Sequence, residues 1–225
     1  APGAGGNTLV QEGRLGYEEY AARAFALLGY DVAPAQRLAD WLEWHDVYGV
    51  RVASDSRRAE SFGAHVHTTS EPFILAGLEF GLGAEFGELG YRVFQAQRRR
   101  FEETGRLTAV SEDHLDRAPR FVYGTVVANG EPWAVVTPDG KPAEPFRLLS
   151  TKTAFAFAAL FPSPYSDRLR EAAAGLAAPQ GGWYAGRYEA TGETNAVLAA
   201  NTNAVVLEAL HFQAHGPLLA PRAAP

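Results

Sequence analysis

Residues 150–160, STKTAFAFAAL, are apolar on almost every side of a helix. A helix of this kind is stable only when other elements surround it. Patterns of the same kind start near residues 17, 70 and 201, and they alternate with amphipathic patterns that start near 34, 84 and 165. Because inner helices of an α/α ring touch only other helices, this alternation predicts a mainly all-α fold, an (α/α)6 toroid. A generic helical bundle is the alternative.

Outside these inner helices, the chain shows turn signals and one hairpin signal. Asn129-Gly130 lies between two alternating stretches, 121–128 and 133–137, and Asn-Gly favours a two-residue hairpin turn. Residues 45–68 are predicted to be a long excursion with short β-prone pieces. We therefore expect one or two short β-hairpins beside the helices, which are predicted over 17–28, 34–44, 71–82, 84–103, 150–160, 165–177 and 201–212.

Composition excludes several classes of function. The chain has 225 residues, with 20 Lys and Arg against 26 Asp and Glu, and a formal net charge of -6. Such a chain has no basic footprint for nucleic acid, so no nucleic-acid partner is predicted. It has no cysteine, which excludes disulfides and cysteine nucleophiles. No stretch approaches the roughly 20 apolar residues of a membrane span.

The ends of the chain differ from its middle in composition. Residues 1–10 are Gly-rich and are predicted to be a flexible segment, residues 11–216 a single toroid domain, and residues 217–225 a Pro/Ala tail. The chain contains no Met, so we expect a processed or trimmed polypeptide.

Five stretches carry a family resemblance. They are RLGYEEYAARAFALLG (14–29), TTSEPFILAGLEFG (68–81), SEDHLDRAPRFVYGTV (111–126), LLSTKTAFAF (148–157) and GGWYAGRYEATGETNAVLAANTNAVVLEAL (181–210). The chain resembles a bacterial family of domains of unknown function, found in secreted and envelope proteins. More distantly, it resembles glucoamylase-like (α/α)6 toroids, which include endo-β-1,2-glucanases. The resemblance covers about residues 11–210.

This resemblance implies a carbohydrate-related function and a periplasmic or secreted bacterial location. Family members carry a further helical region before residue 11. About seven helices are predicted here, whereas six helical hairpins need twelve, so the ring is expected to be incomplete. The resemblance therefore implies two kinds of partner: an oligo- or polysaccharide, and a second chain or a cleaved N-terminal fragment that completes the toroid.

Three carboxyls are the candidate catalytic residues. In the resembling toroids the cleft lies where inner helices begin, and glycoside cleavage needs two carboxyls. Glu71 opens a helix, where it could instead favour the helix dipole. Asp116 lies in SEDHLD together with Glu112 and Asp113, and it could instead cap a short helix. Glu189 follows Tyr188 in a loop rich in glycine and aromatic residues.

Further residues are predicted to bind substrate, because sugars are recognised by aromatic faces with interleaved polar groups. Lys152, in an apolar helix, could instead form a buried ion pair. Asn201 and Asn203 could instead cap a helix. The predicted substrate-binding set is Glu19, Tyr123, Lys152, Trp183, Tyr184, Tyr188, Asn195, Asn201 and Asn203.

Two classes of function remain open from the sequence. One is a glycoside hydrolase or transglycosylase that acts on a bacterial glucan or exopolysaccharide through paired carboxylates. The other is a non-catalytic carbohydrate-binding or scaffolding module of a polysaccharide synthesis or export system. No cofactor is predicted. His65 and His67 could share one strand face, but no third ligand is evident and no metal is predicted.

Overall fold

The computed structural model of the chain describes residues 15–57 and 67–219. Within these residues the chain forms six α-helices. They are α1 (Tyr17–Leu27), α2 (Glu71–Phe80), α3 (Ala84–Thr104), α4 (Thr151–Leu160), α5 (Pro164–Ala174) and α6 (Ala200–His215).

The same residues form four small antiparallel sheets. The strands are β1 (Leu42–Val47), β2 (Val50–Asp55), β3 (His67–Thr68), β4 (Glu112–His114), β5 (Phe121–Gly124), β6 (Val127–Ala128), β7 (Glu131–Pro132), β8 (Val135–Val136), β9 (Leu148–Ser150), β10 (Gly186–Tyr188) and β11 (Thr194–Asn195). The strand orders are β1-β2, β3-β6-β7, β4-β5-β8 and β9-β10-β11.

The prediction of a mainly all-α (α/α)6 toroid is wrong. Six helices and four sheets in the described part of the chain make a mixed α/β architecture, with the sheets lying between the helices in sequence. A second chain or a cleaved N-terminal fragment was expected because an incomplete ring of helices would need one. The structure therefore gives that expectation no support.

The predicted helix over 34–44 is also absent. Two short 3₁₀ turns, Ala33–Gln36 and Leu38–Trp41, lead directly into β1. β1 and β2 pair over six residues each, and Val47 lies opposite Val50. Tyr48 and Gly49 both have positive φ, 53° and 71°, which is the geometry of a two-residue hairpin turn.

The hairpin predicted at Asn129-Gly130 is present. Both turn residues have positive φ, 49° and 83°, and they connect β6 to β7. The flanking strands β5 and β8 belong to a separate sheet, in which Tyr123 lies opposite Val136. β4 is the edge strand of that sheet, and Glu112 in β4 accepts a hydrogen bond from Thr69, just before α2.

The main core surrounds α4. All ten residues of this helix are buried, as its apolar sequence predicted. It packs against α2, α5 and α6, and Phe157 meets the ring of Phe94 from α3 at 5.2 Å. A second core lies between α1, α2, α3 and the β1–β2 hairpin, with Val52 and Phe73 at its centre.

The predicted flexible segment 1–10 lies outside the described residues. Of the predicted tail, 217–219 are described, and the backbone N–H groups of Leu218 and Leu219 donate to Leu78 and Glu79 at 3.0 and 2.7 Å. The tail therefore begins against the end of α2.

Candidate functional site

A buried ion pair joins the starts of two helices. Glu71 is the first residue of α2 and Lys152 the second of α4. The Lys152 Nζ lies 2.8 and 2.7 Å from the two carboxylate oxygens of Glu71, and the two side chains are 2% and 6% exposed. The buried ion pair that was one interpretation of Lys152 is therefore present.

Lys152 uses all three of its ammonium protons. Besides Glu71, its Nζ donates to the backbone carbonyl of Glu112 and to Asn201 Oδ1, both at 2.6 Å. Asn201 returns a bond from Nδ2 to Glu71 at 3.1 Å, and Ser111 Oγ donates to the other Glu71 oxygen at 2.7 Å. Four oxygens from three residues surround an ammonium that has three protons, so the ammonium is fully satisfied.

Two further carboxyls border this pair from strand β4. Glu112 accepts hydrogen bonds from the hydroxyl of Tyr17 and from Thr69 Oγ1, the latter at 3.0 Å. Burial is the main cause that raises the pKa of Glu112, and the charge of Glu71 adds to it, although the bond from Tyr17 acts in the opposite direction.

Asp113, the next residue, is more deeply placed. Its side chain is buried and accepts a hydrogen bond from Ser150 Oγ at 2.9 Å. Burial raises its pKa to about 7, while the charge of Lys152 lowers it. We call Glu71, Glu112, Asp113, Lys152 and Asn201 the Lys152 cluster.

A polar layer on α3 holds the Lys152 cluster in place. Gln97 is fully buried; its Nε2 donates to Ser70 Oγ at 2.9 Å, and its Oε1 accepts from the backbone N–H of Val110 at 2.7 Å. Ser70 in turn donates to the Val110 carbonyl at 2.7 Å. These bonds tie the chain just before β4 to the start of α2, and Ser70 is thereby not a side-chain cap for that helix.

Asp116 belongs to a different group. It accepts from Tyr188 Oη at 2.7 Å and from Arg117 Nε at 2.9 Å, and its backbone N–H donates to Asn195 Oδ1 at 2.9 Å. Burial alone would raise its pKa, but the hydrogen bonds from Arg117 and Tyr188 lower it. Asp116 is thus an ion-paired carboxylate that fastens the 111–126 segment to β10 and β11.

Glu189 belongs to a third group. It is held by Arg100 Nη1 and Nη2 at 2.6 and 2.8 Å, and by Arg147 Nη1 at 3.3 Å. Burial would raise its pKa, but the hydrogen bonds and charge of Arg100 lower it. Among the described residues, the three predicted catalytic carboxyls therefore have different hydrogen-bond partners.

Of the four aromatic residues predicted to bind substrate, Tyr188 is buried, whereas Tyr123, Trp183 and Tyr184 are partly exposed. Tyr188 is 2% exposed, and Trp183 meets the ring of Phe155 at 5.4 Å. Asn203 bonds the backbone of Trp183 twice, at 2.8 and 3.1 Å, and so fixes this loop rather than capping α6. The backbone carbonyl of Tyr184 accepts from Thr151, and Tyr123 packs on His67 at 4.9 Å.

Glu19 lies away from the other predicted residues. It lines a cavity of about 180 Å³ with Arg23, Gln36 and Phe86 at the start of α3. Burial raises the pKa of Glu19 to about 7, although hydrogen bonds from the backbone of Glu19 and Gly16 lower it.

No group of three or more His, Cys, Asp or Glu side chains suited to a metal ion occurs within 15–57 and 67–219. His65, one of the two histidines weighed as a metal pair, lies outside the described residues. In the same part of the chain, no helix is long and apolar enough to cross a membrane.

The sequence signal for the Lys152 cluster was partial. Glu71, Lys152 and Asn201 were predicted as site residues, and the structure joins them. Glu112 and Asp113 were noted in the acidic stretch but were not selected. Their place in β4, directly before an alternating strand, is the signal that could have identified them.

Comparison with known proteins identifies the family. Residues 3–216 match the family described as a protein of unknown function, DUF3131, and the chain belongs to this family. The resemblance to a family of unknown function is thereby confirmed. No curated protein sequence matches the chain.

A solved structure shares part of the fold. The crystal structure of a putative glucoamylase from Bacteroides caccae ATCC 43185 superposes with a TM-score of 0.54 at 10% sequence identity. The match covers 79% of this chain and 42% of that one, so the chain spans less than half of the length of that protein. At this identity the likeness shows a shared fold.

Proposed function

We propose that this DUF3131 protein acts on a bacterial glucan or exopolysaccharide as a glycoside hydrolase or transglycosylase, with Glu112 as the general acid and Glu71 as its ionised partner. The periplasm or the cell exterior, where such polysaccharides lie, is part of the proposal. The fold shared with a protein named as a putative glucoamylase supports the saccharide substrate.

One observation carries the choice of residues. Two carboxyls interact, and only one of them is paired directly with a buried ammonium. Glu71 forms a salt bridge with Lys152 at 2.7 Å. The pKa of Glu112 is raised, chiefly by burial and further by the Glu71 charge. Pairs of titratable groups whose environments separate their protonation states are how enzymes assign an acid and a base.

The chemistry follows from this assignment. Protonated Glu112 would give its proton to the departing glycosidic oxygen as the bond to the anomeric carbon breaks. A water molecule, or an acceptor hydroxyl in a transglycosylase, would form the new bond to that carbon and give up its proton to Glu71. Since Glu112 must be protonated, the rate should fall as the pH rises through its raised pKa.

The test is release of reducing sugar from a panel of bacterial glucans and exopolysaccharides. General-acid catalysis is worth about 10²- to 10⁴-fold, so Glu112→Gln should lower the rate by at least about 100-fold. Glu193→Gln is the matched control, because Glu193 is exposed and paired only with Arg117 at 3.0 Å in the described part of the chain. Full activity in Glu112→Gln would refute the assignment.

A non-catalytic carbohydrate-binding or scaffolding module is the second candidate. It is favoured by the enclosure of Glu71, which is 4% exposed and accepts from Ser111, Lys152 and Asn201. Binding of a glycan from the panel without release of reducing ends, in both the wild-type protein and Glu112→Gln, would support this candidate over the enzyme.

A further inference from the structure

A cluster of three arginines surrounds one carboxylate near the C-terminal end of α3. We call Arg100, Arg106, Arg147 and Glu189 the arginine cluster. Arg100 binds both Glu189 oxygens, at 2.6 and 2.8 Å, in the paired geometry that guanidinium and carboxylate groups prefer. Arg147 and Arg106 reach only one oxygen, at 3.3 and 3.5 Å, which is the long limit of a hydrogen bond.

The arginine cluster has more positive than negative charge. Three guanidiniums face one carboxylate, and the described residues give neither Arg106 nor Arg147 another acidic partner. This local excess occurs in a chain whose formal net charge is -6. The side chain of Arg106 is 64% exposed, whereas that of Arg147 is 15% exposed. The positive charge is therefore accessible from solvent.

Unused hydrogen-bond donors lie beside this charge. Arg147 Nη2 donates to the backbone carbonyl of Trp133 at 2.5 Å, which fixes the two residues together. The Nε of Arg147 and the indole Nε1 of Trp133 are buried, and neither has a partner among the residues that the structure describes. Buried donors without acceptors are costly, and an oxygen-bearing ligand would relieve that cost.

Aromatic rings border the same place. The Trp133 ring lies 5.3 Å from the Arg100 guanidinium and 5.8 Å from the ring of Tyr48. Trp133 has a φ of 61°, a conformation that bulky residues rarely adopt and that is concentrated at functional sites. Both rings are partly exposed, and an aromatic face beside a charge is suited to the apolar face of a sugar.

We propose that Arg106, Arg147 and Trp133 form a site for the carboxylate of an acidic saccharide. The guanidiniums bind the carboxylate, and the rings of Tyr48 and Trp133 pack against the sugar that carries it. The saccharide part of this inference rests on the proposed function, whereas the oxyanion part rests on the arginine cluster alone.

Calorimetric titration tests the site with three probes: a uronic-acid tetrasaccharide, a neutral glucose tetrasaccharide and inorganic sulfate. The uronic-acid probe should bind at least about tenfold more tightly than either of the others, and its affinity should fall as salt is added. Arg106→Ala should weaken that binding by roughly tenfold, the usual worth of a charge-assisted hydrogen bond.

Arg99→Ala is the matched control. Arg99 lies on α3, is 55% exposed and pairs with Glu102 at 2.9 Å. Replacement of Arg99 should leave the affinity for the uronic-acid probe unchanged. Equal affinity for the acidic and neutral tetrasaccharides, sulfate binding as tight as that of the uronic-acid probe, or unchanged affinity in Arg106→Ala would each overturn the inference.

The two proposals can fail separately. Selective binding of this probe without any release of reducing sugar would refute the enzyme and support the site. Sugar release without selective binding of the acidic probe would overturn the site alone.

Discussion

Replacement of Lys152 by methionine tests whether the buried ion pair holds the fold together. The side chain is 2% exposed, and its Nζ lies 2.7 and 2.8 Å from the Glu71 oxygens and 2.6 Å from both Asn201 Oδ1 and the Glu112 carbonyl. Methionine fills a similar volume but leaves the Glu71 carboxylate buried without a cation. Loss of one member of a buried pair costs about 3–5 kcal/mol, so the free energy of unfolding of Lys152→Met should fall by that amount.

Two comparison variants separate charge from volume. Glu71→Gln combined with Lys152→Met removes both charges, so the double variant should be more stable than the sum of the two single losses by about 1–3 kcal/mol. Lys141→Met is the exposed control, since Lys141 and Asp139 lie 2.7 Å apart but are 76% and 59% exposed. Its free energy of unfolding should not measurably change, because solvent screens such a pair.

Urea unfolding followed by circular dichroism supplies these free energies. The transition midpoint should move while its slope against urea stays constant, because the surface exposed on unfolding is the same. A loss below about 1 kcal/mol in Lys152→Met would refute the reasoning. Strict additivity in the double variant would show that Glu71 and Lys152 do not stabilise each other.

Two further predictions concern stability. Burial raises the pKa of Asp113 to about 7, against roughly 4 in an unfolded chain. The stability that protonated Asp113 contributes is therefore complete below about pH 4 and is lost as the pH rises to about 7. The stability of the wild-type protein relative to Asp113→Asn should therefore fall across that window in urea titrations, and a pH-independent difference would contradict this. A Cβ at Gly186 would lie 2.4 Å from the Leu149 carbonyl oxygen, so the free energy of unfolding of Gly186→Ala should fall by about 1–3 kcal/mol or more. A Cβ at Gly175 would lie 3.5 Å from its nearest atom, the Ala172 carbonyl oxygen, so Gly175→Ala should be neutral or stabilising. Equal melting temperatures for the two alanine variants would refute the steric argument.

The helices were predictable because their signals are local. The long amphipathic pattern from residue 84 gave α3, which ends at Gly105 with a φ of 71°, the left-handed conformation that glycine adopts at helix ends. The all-round apolar pattern of 150–160 gave the buried helix α4. In both cases spacing and end signals agree within a single stretch of chain.

The β1–β2 hairpin was not predicted, because its signals conflict. A proline such as Pro34 favours the first turn of a helix, but here it opens only a short 3₁₀ turn. The turn itself uses Tyr48 and Gly49, and tyrosine is rarely placed at positive φ. Residues 42–47 contain both helix-compatible and alternating patterns, and packing of Val47 and Val52 in the second core decides for the strand.

The site was predictable in kind but not in its pairings. A lysine within an apolar helix, such as Lys152, needs an acidic partner from another part of the fold, and the sequence shows this need. Glu71 lies 81 residues away, and no local pattern connects the two. In the same way, Glu189 was identified as a carboxylate in an aromatic loop, but the arginines that keep it ionised come from α3 and from the residue before β9.

The two clusters differ in the ratio of their charges, and this difference separates the two proposals. In the Lys152 cluster three carboxyls share one ammonium. Burial raises the pKa of Glu112 and Asp113, so proton binding to these two carboxyls can offset the negative charge that the ammonium leaves unpaired. In the arginine cluster three guanidiniums share one carboxylate, so the excess positive charge is available to bind an anion. Processes that depend on the first cluster should respond to pH, and binding at the second should respond to salt. Sugar release that follows pH but not salt, together with acidic-saccharide binding that follows salt but not pH, would therefore assign catalysis and recognition to different faces of the same chain.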